Sequence, residues 1–376
     1  MAADGRLPPD CETDRRFMAA AIRLARRHLG LTGTNPSVGT LIVRDDGDGP
    51  VIVGSGVTAV GGRPHAEPQA LAEAGDLARG ATAYVTLEPC AHHGRTPPCA
   101  EALVAAGVAR VVGGASDPDE RVSGKGYAIL RRAGIEVTEG VMAEEAADLM
   151  AGYLTRASRK RPEVTVKLAV SRDGRIGLPG KGQVAITGEI SRRQVHVMRA
   201  EADAILVGIG TVLADDPELT CRLPGLEARS PIRIVLDAAA RLPTGAKMVK
   251  DAREAPVWVA AAAEGCDRSR RAALEAEGVE FLAAEIADGG FALPELLEDI
   301  AARGVSALMV EGGAETVCHF LDEGLVDRIT VFTGPVEIGR EGIPSPIAPE
   351  RAPEGFHLVR EARYGEDSYS EWVRKS

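Results

Sequence analysis

The stretch that decides the fold is Ala83-Tyr84-Val85-Thr86-Leu87-Glu88-Pro89-Cys90-Ala91-His92-His93-Gly94-Arg95-Thr96-Pro97-Pro98-Cys99, followed by Ala100-Glu101-Ala102-Leu103-Val104-Ala105-Ala106. Residues 83–87 are short, apolar and rich in strand formers, so they read as a buried strand. The Gly- and Pro-containing middle cannot continue that strand, and an Ala- and Leu-rich helix is expected from Cys99 to Ala106. Strand, loop with two thiols, helix: this is the repeating unit of an α/β layer.

Working outward, residues 14–30 read as an amphipathic helix with Phe17, Ala20, Ala21, Leu24, Ala25 and Leu29 on one face. Strands are expected at 38–43 and 51–54, joined by the turn-rich Asp45-Asp46-Gly47-Asp48-Gly49. A helix over 66–78 carries Ala70, Leu71, Ala74, Leu77 and Ala78 at helical spacing. A strand at 109–112, a helix near 127–133 and a strand at 135–138 complete a five-stranded α/β domain. The helical pattern of 143–158 ends in Arg159-Lys160-Arg161-Pro162, where a proline stops the helix and the basic run reads as a solvated linker. The expected domains are therefore 14–150 and 160–376, with 1–13 disordered. The second half restarts with a strand at 164–170 and the turn Ser171-Arg172-Asp173-Gly174. Strands at 204–207, 232–236, 257–260, 307–310 and 329–332 alternate with helices such as 191–200 and 294–303, which predicts a mostly parallel sheet. Residues 368–373 are expected to pair at its edge.

A chain of 376 residues is long for one core, so two domains are expected. The net charge of −11 argues against a broad nucleic-acid surface, but leaves room for a small anionic substrate held by local arginines. No run of about 18 apolar residues marks a membrane helix, and the polar N-terminus lacks the apolar centre of a signal peptide. Six scattered cysteines, with only Cys90 and Cys99 close together, are no disulfide framework and suit a cytoplasmic setting.

His65-Ala66-Glu67 stands upstream of Cys90 and Cys99. One imidazole and two thiolates suit a tetrahedral Zn²⁺ that keeps its fourth position for water and brings that water's pKa to about 7. Glu67 is placed to move the water's proton. Cys99 at a helix start, and His65 just before the helix that Glu67 leads into, place the ligands at helix N-termini, which favour thiolate. A closed structural zinc site is the bland alternative, and its fourth ligand would be His92 or His93. His-x-Glu with Pro-Cys is the signature of zinc-dependent nucleobase deaminases.

With the eight residues between its cysteines, Pro64-His65-Ala66-Glu67 with Thr86 to Cys99 closely resembles the bifunctional riboflavin-biosynthesis deaminase/reductase family. The resemblance extends to Asn35-Pro36-Ser37-Val38-Gly39 and Asp117-Pro118. In the second half it rests on Lys167-Leu168, Gly210-Thr211-Val212-Leu213-Ala214-Asp215-Asp216-Pro217 and Val310-Glu311-Gly312-Gly313. It implies a cytidine-deaminase-like three-layer α/β/α domain followed by a dihydrofolate-reductase-like α/β domain. The implied substrate is a diaminopyrimidinone ribosylamine 5′-phosphate, deaminated with Zn²⁺ and then reduced from ribosyl to ribityl with NADPH. By the same resemblance Glu67 and Lys167 are catalytic, and His65, Cys90 and Cys99 hold the metal. Thr187, Thr211, Asp215 and Gly313 would contact NADPH, while Asn35, His92, Arg95, Arg199, Leu219, Arg222 and Glu311 would meet substrate. Arg199 and Arg222 also suit phosphate clamping by their chemistry. Leu219 reads equally as a core residue, and Asp215 as a cap. The expected partner is a small phosphorylated pyrimidine, with no nucleic acid or membrane, in a homo-oligomer.

Three departures stand out. Gln183 and Ala185 occupy positions where such enzymes commonly have Ser and Trp, Ala238 replaces a common hydroxyl, and Asp119 stands where Asn is usual. Loss of the aromatic at Ala185 predicts weaker or rearranged NADPH binding. A deaminase fused to an impaired reductase is thus the alternative. An RNA- or DNA-binding deaminase is opposed by the acidic balance and by aromatics at 3%.

Overall fold

The computed structural model describes residues 11–94, 97–262, 267–287, 290–349 and 351–375. The expected disorder of 1–13 falls largely outside them, but helix α1 (Cys11–Ala25) already begins at residue 11. The chain divides into two compact units between Lys160 and Arg161.

The first unit contains β1 (Gly39–Arg44), β2 (Val51–Val57), α2 (Ala66–Ala74), β3 (Thr82–Leu87), α3 (Cys99–Ala106), β4 (Arg110–Ala115), α4 (Lys125–Arg132), β5 (Glu136–Thr138), α5 (Ala143–Leu149) and α6 (Ala151–Arg159). The sheet order is β2-β1-β3-β4-β5, with β1 antiparallel to β2 and β3, and β3, β4 and β5 parallel. Glycines set how closely the helices approach. A Cβ at Gly39 would lie 2.2 Å from Ala21 O of α1, and one at Gly56 would lie 2.1 Å from Ala66 O of α2. Thr40 pairs with Gly56 and its neighbour Gly39 with Val57, so α1 and α2 cover opposite faces. Every residue of β3 and β4 is buried, as strands covered on both sides must be.

Two helices differ from expectation. The helix over 66–78 stops at Ala74, because Gly75 takes φ +54 and its N–H closes on Leu71 O; Leu77 is consequently exposed. The single helix over 143–158 breaks at Met150 (φ −107, ψ 19), whose side chain is drawn into the core. A buried ion pair went unread in the sequence. Arg110 of β4 donates to both oxygens of Asp14 on α1 at 2.9 and 2.7 Å, and Tyr84 OH adds a bond of 2.9 Å.

The second unit contains β6 (Glu163–Ser171), β7 (Arg175–Gly177), α7 (Glu189–Glu201), β8 (Ala204–Gly208), α8 (Ile209–Asp215), β9 (Ile232–Leu236), α9 (Lys247–Lys250), β10 (Val257–Ala262), α10 (Arg268–Ala276) and β11 (Glu280–Ala284). It continues with β12 (Ile286–Ala287), β13 (Gly290–Phe291), α11 (Leu293–Ala302), β14 (Ala307–Val310), α12 (Ala314–Asp322), β15 (Arg328–Gly334), β16 (Ile343–Pro344), β17 (Phe356–Tyr364) and β18 (Asp367–Arg374). Nine strands form one sheet in the order β11-β10-β9-β8-β14-β6-β15-β18-β17. It is parallel from β11 to β15 and antiparallel through β18 and β17. Alternate residues of β8 feed different cores, Ala204 and Leu206 on one side and Ile205 and Val207 on the other.

The segment expected at the sheet edge, 368–373, is not there: β18 is covered by β17, which takes the edge. β17 was missed because most of its residues are exposed, with Leu358 and Val359 among them and Arg360, Glu361 and Arg363 interleaved, so it lacks a strand's apolar alternation. No described helix is long and apolar enough to cross a membrane.

Candidate active sites

In the first unit three junctions deliver three ligands. His65 is the N-cap of α2, Cys90 follows β3, and Cys99 is the first residue of α3. Their ligand atoms all lie within 4.8 Å of one another. His65 Nδ1 is 3.3 Å from Cys99 Sγ and 3.8 Å from Cys90 Sγ, and the Cys99 N–H donates to Cys90 Sγ at 3.2 Å. The segment that leads into Cys90 is pinned by Glu88, which is buried and accepts the N–H groups of Gly124 and Gly126 at 3.0 Å each. Sequence reasoning missed Glu88, although its place directly before Pro89-Cys90 was the available signal.

Hydrogen bonding from the Cys99 thiol, joined by His65, holds Cys90 low at about 4 despite its burial. The Cys90 thiolate and burial push Cys99 far up. Two thiols this close cannot both ionise beside one imidazole unless a cation joins them. A divalent, sulfur-tolerant metal relieves that repulsion, so the donor set fits zinc. Neither His92 nor His93 belongs to the ligand group among the described residues. His93 lies 3.3 Å from Glu101, and His92 Nδ1 is buried without a hydrogen-bond partner. Glu67, on the first turn of α2, is buried, and burial above all raises its carboxyl; Cys90 adds to the rise. A carboxyl so placed is within reach of proton transfer at the site.

Asn35 packs its amide against Gly62, where a Cβ would come 2.2 Å from Asn35 Nδ2. Arg95 lies outside the described residues. Asp117 is buried and accepts from Tyr153 OH at 3.1 Å and Asp119 N at 2.9 Å. Arg121 clasps Asp119 with both nitrogens and holds its carboxyl at about 2. The carboxylate standing in the usual Asn position is thus charge-compensated.

In the second unit Glu311, at the end of β14, gathers two cations. Arg199 of α7 donates Nε to Oε1 at 2.9 Å and Nη2 to Oε2 at 3.1 Å, and Lys167 Nζ of β6 reaches Oε2 at 3.3 Å. Burial alone would raise Glu311, but Arg199 and Lys167 outweigh it and hold the carboxyl at about 2. Arg199 also donates Nη1 to Thr220 O at 3.2 Å, which leaves one N–H on each terminal nitrogen beyond its bonds to Glu311 and the 220 carbonyl. Arg222 is exposed and pairs with Glu218 at 2.8 Å. Leu219 is 4% exposed and sits in the core with φ +59.

Thr211 Oγ1 accepts the Gly313 N–H at 3.2 Å, which joins α8 to the N-terminus of α12. A Cβ at Gly312 would lie 2.7 Å from Thr316, so the backbone must come close there. Asp215 ends α8, and burial raises its carboxyl. Ala185 and Thr187 line a cavity of about 350 Å³ with Pro335, Val336 and Asp367. Gln183 is exposed, and Ala238 gives its carbonyl to Ala262 N–H at 3.1 Å. Lys167, Arg199 and Glu311 therefore meet, whereas Thr187 and Ala185 belong to a separate recess beyond the end of β15.

Residues 162–368 match the RibD C-terminal domain family, and residues 11–115 match the cytidine and deoxycytidylate deaminase zinc-binding region. The chain is 42% identical over 332 residues to the riboflavin biosynthesis protein RibD of Aquifex aeolicus, covering 88% of this chain and 89% of that one. It is 40% identical over 340 residues to RibD of Escherichia coli, covering 87% and 89%. Among solved structures, Acinetobacter baumannii RibD superposes with a TM-score of 0.84 at 36% identity, over 98% of this chain and 100% of that chain. A diaminohydroxyphosphoribosylaminopyrimidine deaminase/5-amino-6-(5-phosphoribosylamino)uracil reductase of Thermotoga maritima does so with 0.82 at 34% identity, over 97% and 99%.

Proposed function

This chain belongs to the RibD family of riboflavin-biosynthesis proteins, bifunctional deaminase/reductases, and from that premise we propose how its two halves divide the work. The first half deaminates a diaminopyrimidinone ribosylamine 5′-phosphate, and the second reduces the ribosyl unit to ribityl with NADPH. The observation that carries the reading is the convergence of His65, Cys90 and Cys99 beside the buried Glu67.

Zinc on His65, Cys90 and Cys99 supplies Lewis-acid activation of water. Glu67 takes up the released proton at its carboxylate and passes it to the departing amino group, and burial, which raises its carboxyl, favours its holding that proton on the way. Asn35 orients the pyrimidine by hydrogen bonding, and His92 and Arg95 meet the sugar phosphate. Tyr153 bonds Asp117, and Arg121 neutralises the charge of Asp119, which would otherwise repel a phosphorylated substrate.

NADPH supplies the hydride in the second half. The glycine backbone at the α12 N-terminus would receive its pyrophosphate, with Thr211 and Asp215 beside it and Thr187 as a further contact. Glu311 holds Lys167 as a cation with Nζ fixed, so that Lys167 can deliver a proton as the ribosyl unit opens and is reduced. Lys167, Asp215 and Glu311 support an active reductase. Free Cys90, Cys99, Cys221 and Cys318 support a reducing, cytoplasmic setting.

The test feeds the pyrimidine substrate with and without NADPH and follows ammonia release and ribityl formation separately. Ammonia without NADPH, and ribityl product only with it, is the expected result. Absence of ammonia release from zinc-loaded enzyme would overturn the deaminase assignment.

A further inference from the structure

The loop 216–222 follows α8 and carries Leu219 and Arg222. It is held in an unusual backbone path, since Asp216 (φ +42) and Leu219 (φ +59) both occupy the left-handed region that non-glycine residues avoid. Such a path persists only where surrounding contacts determine it. Glu218 O accepts from Arg233 Nη1 at 3.1 Å, and Cys221 N–H donates to Ser230 Oγ at 3.1 Å. The other two pins come from α7. His196 and Arg199 stand three residues apart on it and so share one face. Arg199 reaches Thr220 O, and His196 Nδ1 lies 3.2 Å from the Arg222 backbone N–H.

A backbone N–H can only donate, so Nδ1 must be the bare nitrogen of the ring and the proton sits on Nε2. The surroundings favour that neutral form. Burial pushes His196 down, and the neighbouring Arg199 and Arg222 guanidinium groups push it further, against the opposing pull of the Thr220 backbone carbonyl and of Glu311. We propose that His196 is a positioning residue for the reductase substrate: its imidazole Nδ1 accepts the Arg222 N–H and so sets where the Arg222 side chain is presented. Thr220, between the two pins, links this loop to the Lys167–Glu311–Arg199 cluster through Arg199. The assignment rests on the reading that the 219–222 loop meets the phosphorylated substrate.

The test uses the full chain, supplied with the deaminated intermediate and NADPH. His196→Ala should raise KM for the intermediate about five- to tenfold, the range of one lost hydrogen bond, with kcat within about twofold. His196→Asn, whose Oδ1 can stand where Nδ1 stood, should keep KM within about twofold. Arg222→Ala should raise KM at least as much as His196→Ala. An unchanged KM in His196→Ala beside a raised one in Arg222→Ala overturns the proposal alone. An unchanged KM in Arg222→Ala overturns the substrate-site reading and the proposal together. A loss in His196→Asn equal to that in His196→Ala also overturns it, because the acceptor would then be irrelevant. Should His196→Ala fail to fold, His196→Gln replaces it: its acceptor is carried to the Nε2 position, and the proposal requires a raised KM.

Discussion

Replacing Glu311 by glutamine removes the only negative partner that Lys167 has among the described residues and turns one of the two oxygens that accept from Arg199 into an NH2 donor, all within a site about 11–13% exposed. A carboxyl held at about 2 instead of near 4.5 contributes about 3 kcal/mol of folding stability at neutral pH. Leaving buried cations unpaired gives a similar figure, about 3–5 kcal/mol. For a unit of this size each kcal/mol moves Tm by roughly 2–4 °C, so the reductase transition of Glu311→Gln should fall by roughly 6–12 °C. The pH course follows from the sign of the shift. Because the folded-state pKa lies below the unfolded one, the contribution is complete above about 4.5 and is lost as pH falls toward 2. The gap between wild type and Glu311→Gln should therefore be constant from pH 8 to about 5 and narrow on further acidification. Differential scanning calorimetry of the full chain, followed down to the lowest pH at which it still melts cooperatively, measures that gap. A gap under about 1 kcal/mol at pH 7, or one that widens as pH falls, would refute the account of the cluster.

Glu67→Gln should cut ammonia release about 10²–10⁴-fold while bound zinc, measured by atomic absorption, stays at wild-type stoichiometry; parallel loss of the metal would show Glu67 to be structural. Chelation of zinc should abolish deamination and leave NADPH oxidation on the pre-deaminated intermediate intact, which separates the two halves in one preparation. Gly56→Ala should destabilise the first unit and lower its zinc content, because the new Cβ would collide with Ala66 O next to His65; an unchanged melt and full zinc loading would contradict the close β2–α2 packing. Ala185→Trp should tighten NADPH binding by filling part of the recess of about 350 Å³ beside Thr187; a fluorescence titration giving equal affinities would sever Ala185 from the cofactor.

The deaminase site was legible because its chemistry is local. His65 and Glu67 are two residues apart, Cys90 follows a strand, and Cys99 starts a helix, so strand and helix ends alone bring them near one another. Charge pairing was less legible. Asp14 and Arg110 are 96 positions apart, and neither shows in the sequence that it will be buried against the other. The same holds for Glu311, whose partners lie 112 and 144 positions away. Arg199 illustrates the consequence: its guanidinium chemistry suits a phosphate, and only the fold shows that it also bonds a carboxylate and a carbonyl. Edge strand β17 escaped for a different reason, since an edge exposed to water needs no apolar alternation.

By itself the sequence determined the two-unit α/β order, the three candidate metal ligands with the carboxylate beside them, and the segments that carry the reductase resemblance. These follow from period, spacing and side-chain chemistry, which act over a few residues. Only the tertiary structure decided that Lys167, Arg199 and Glu311 share one cluster, that Leu219 turns its side chain inward, and that His196 holds Arg222. The physical reason is that hydrogen bonds and ion pairs depend on distances of about 3 Å between atoms, and sheet order sets those distances between segments far apart in the chain.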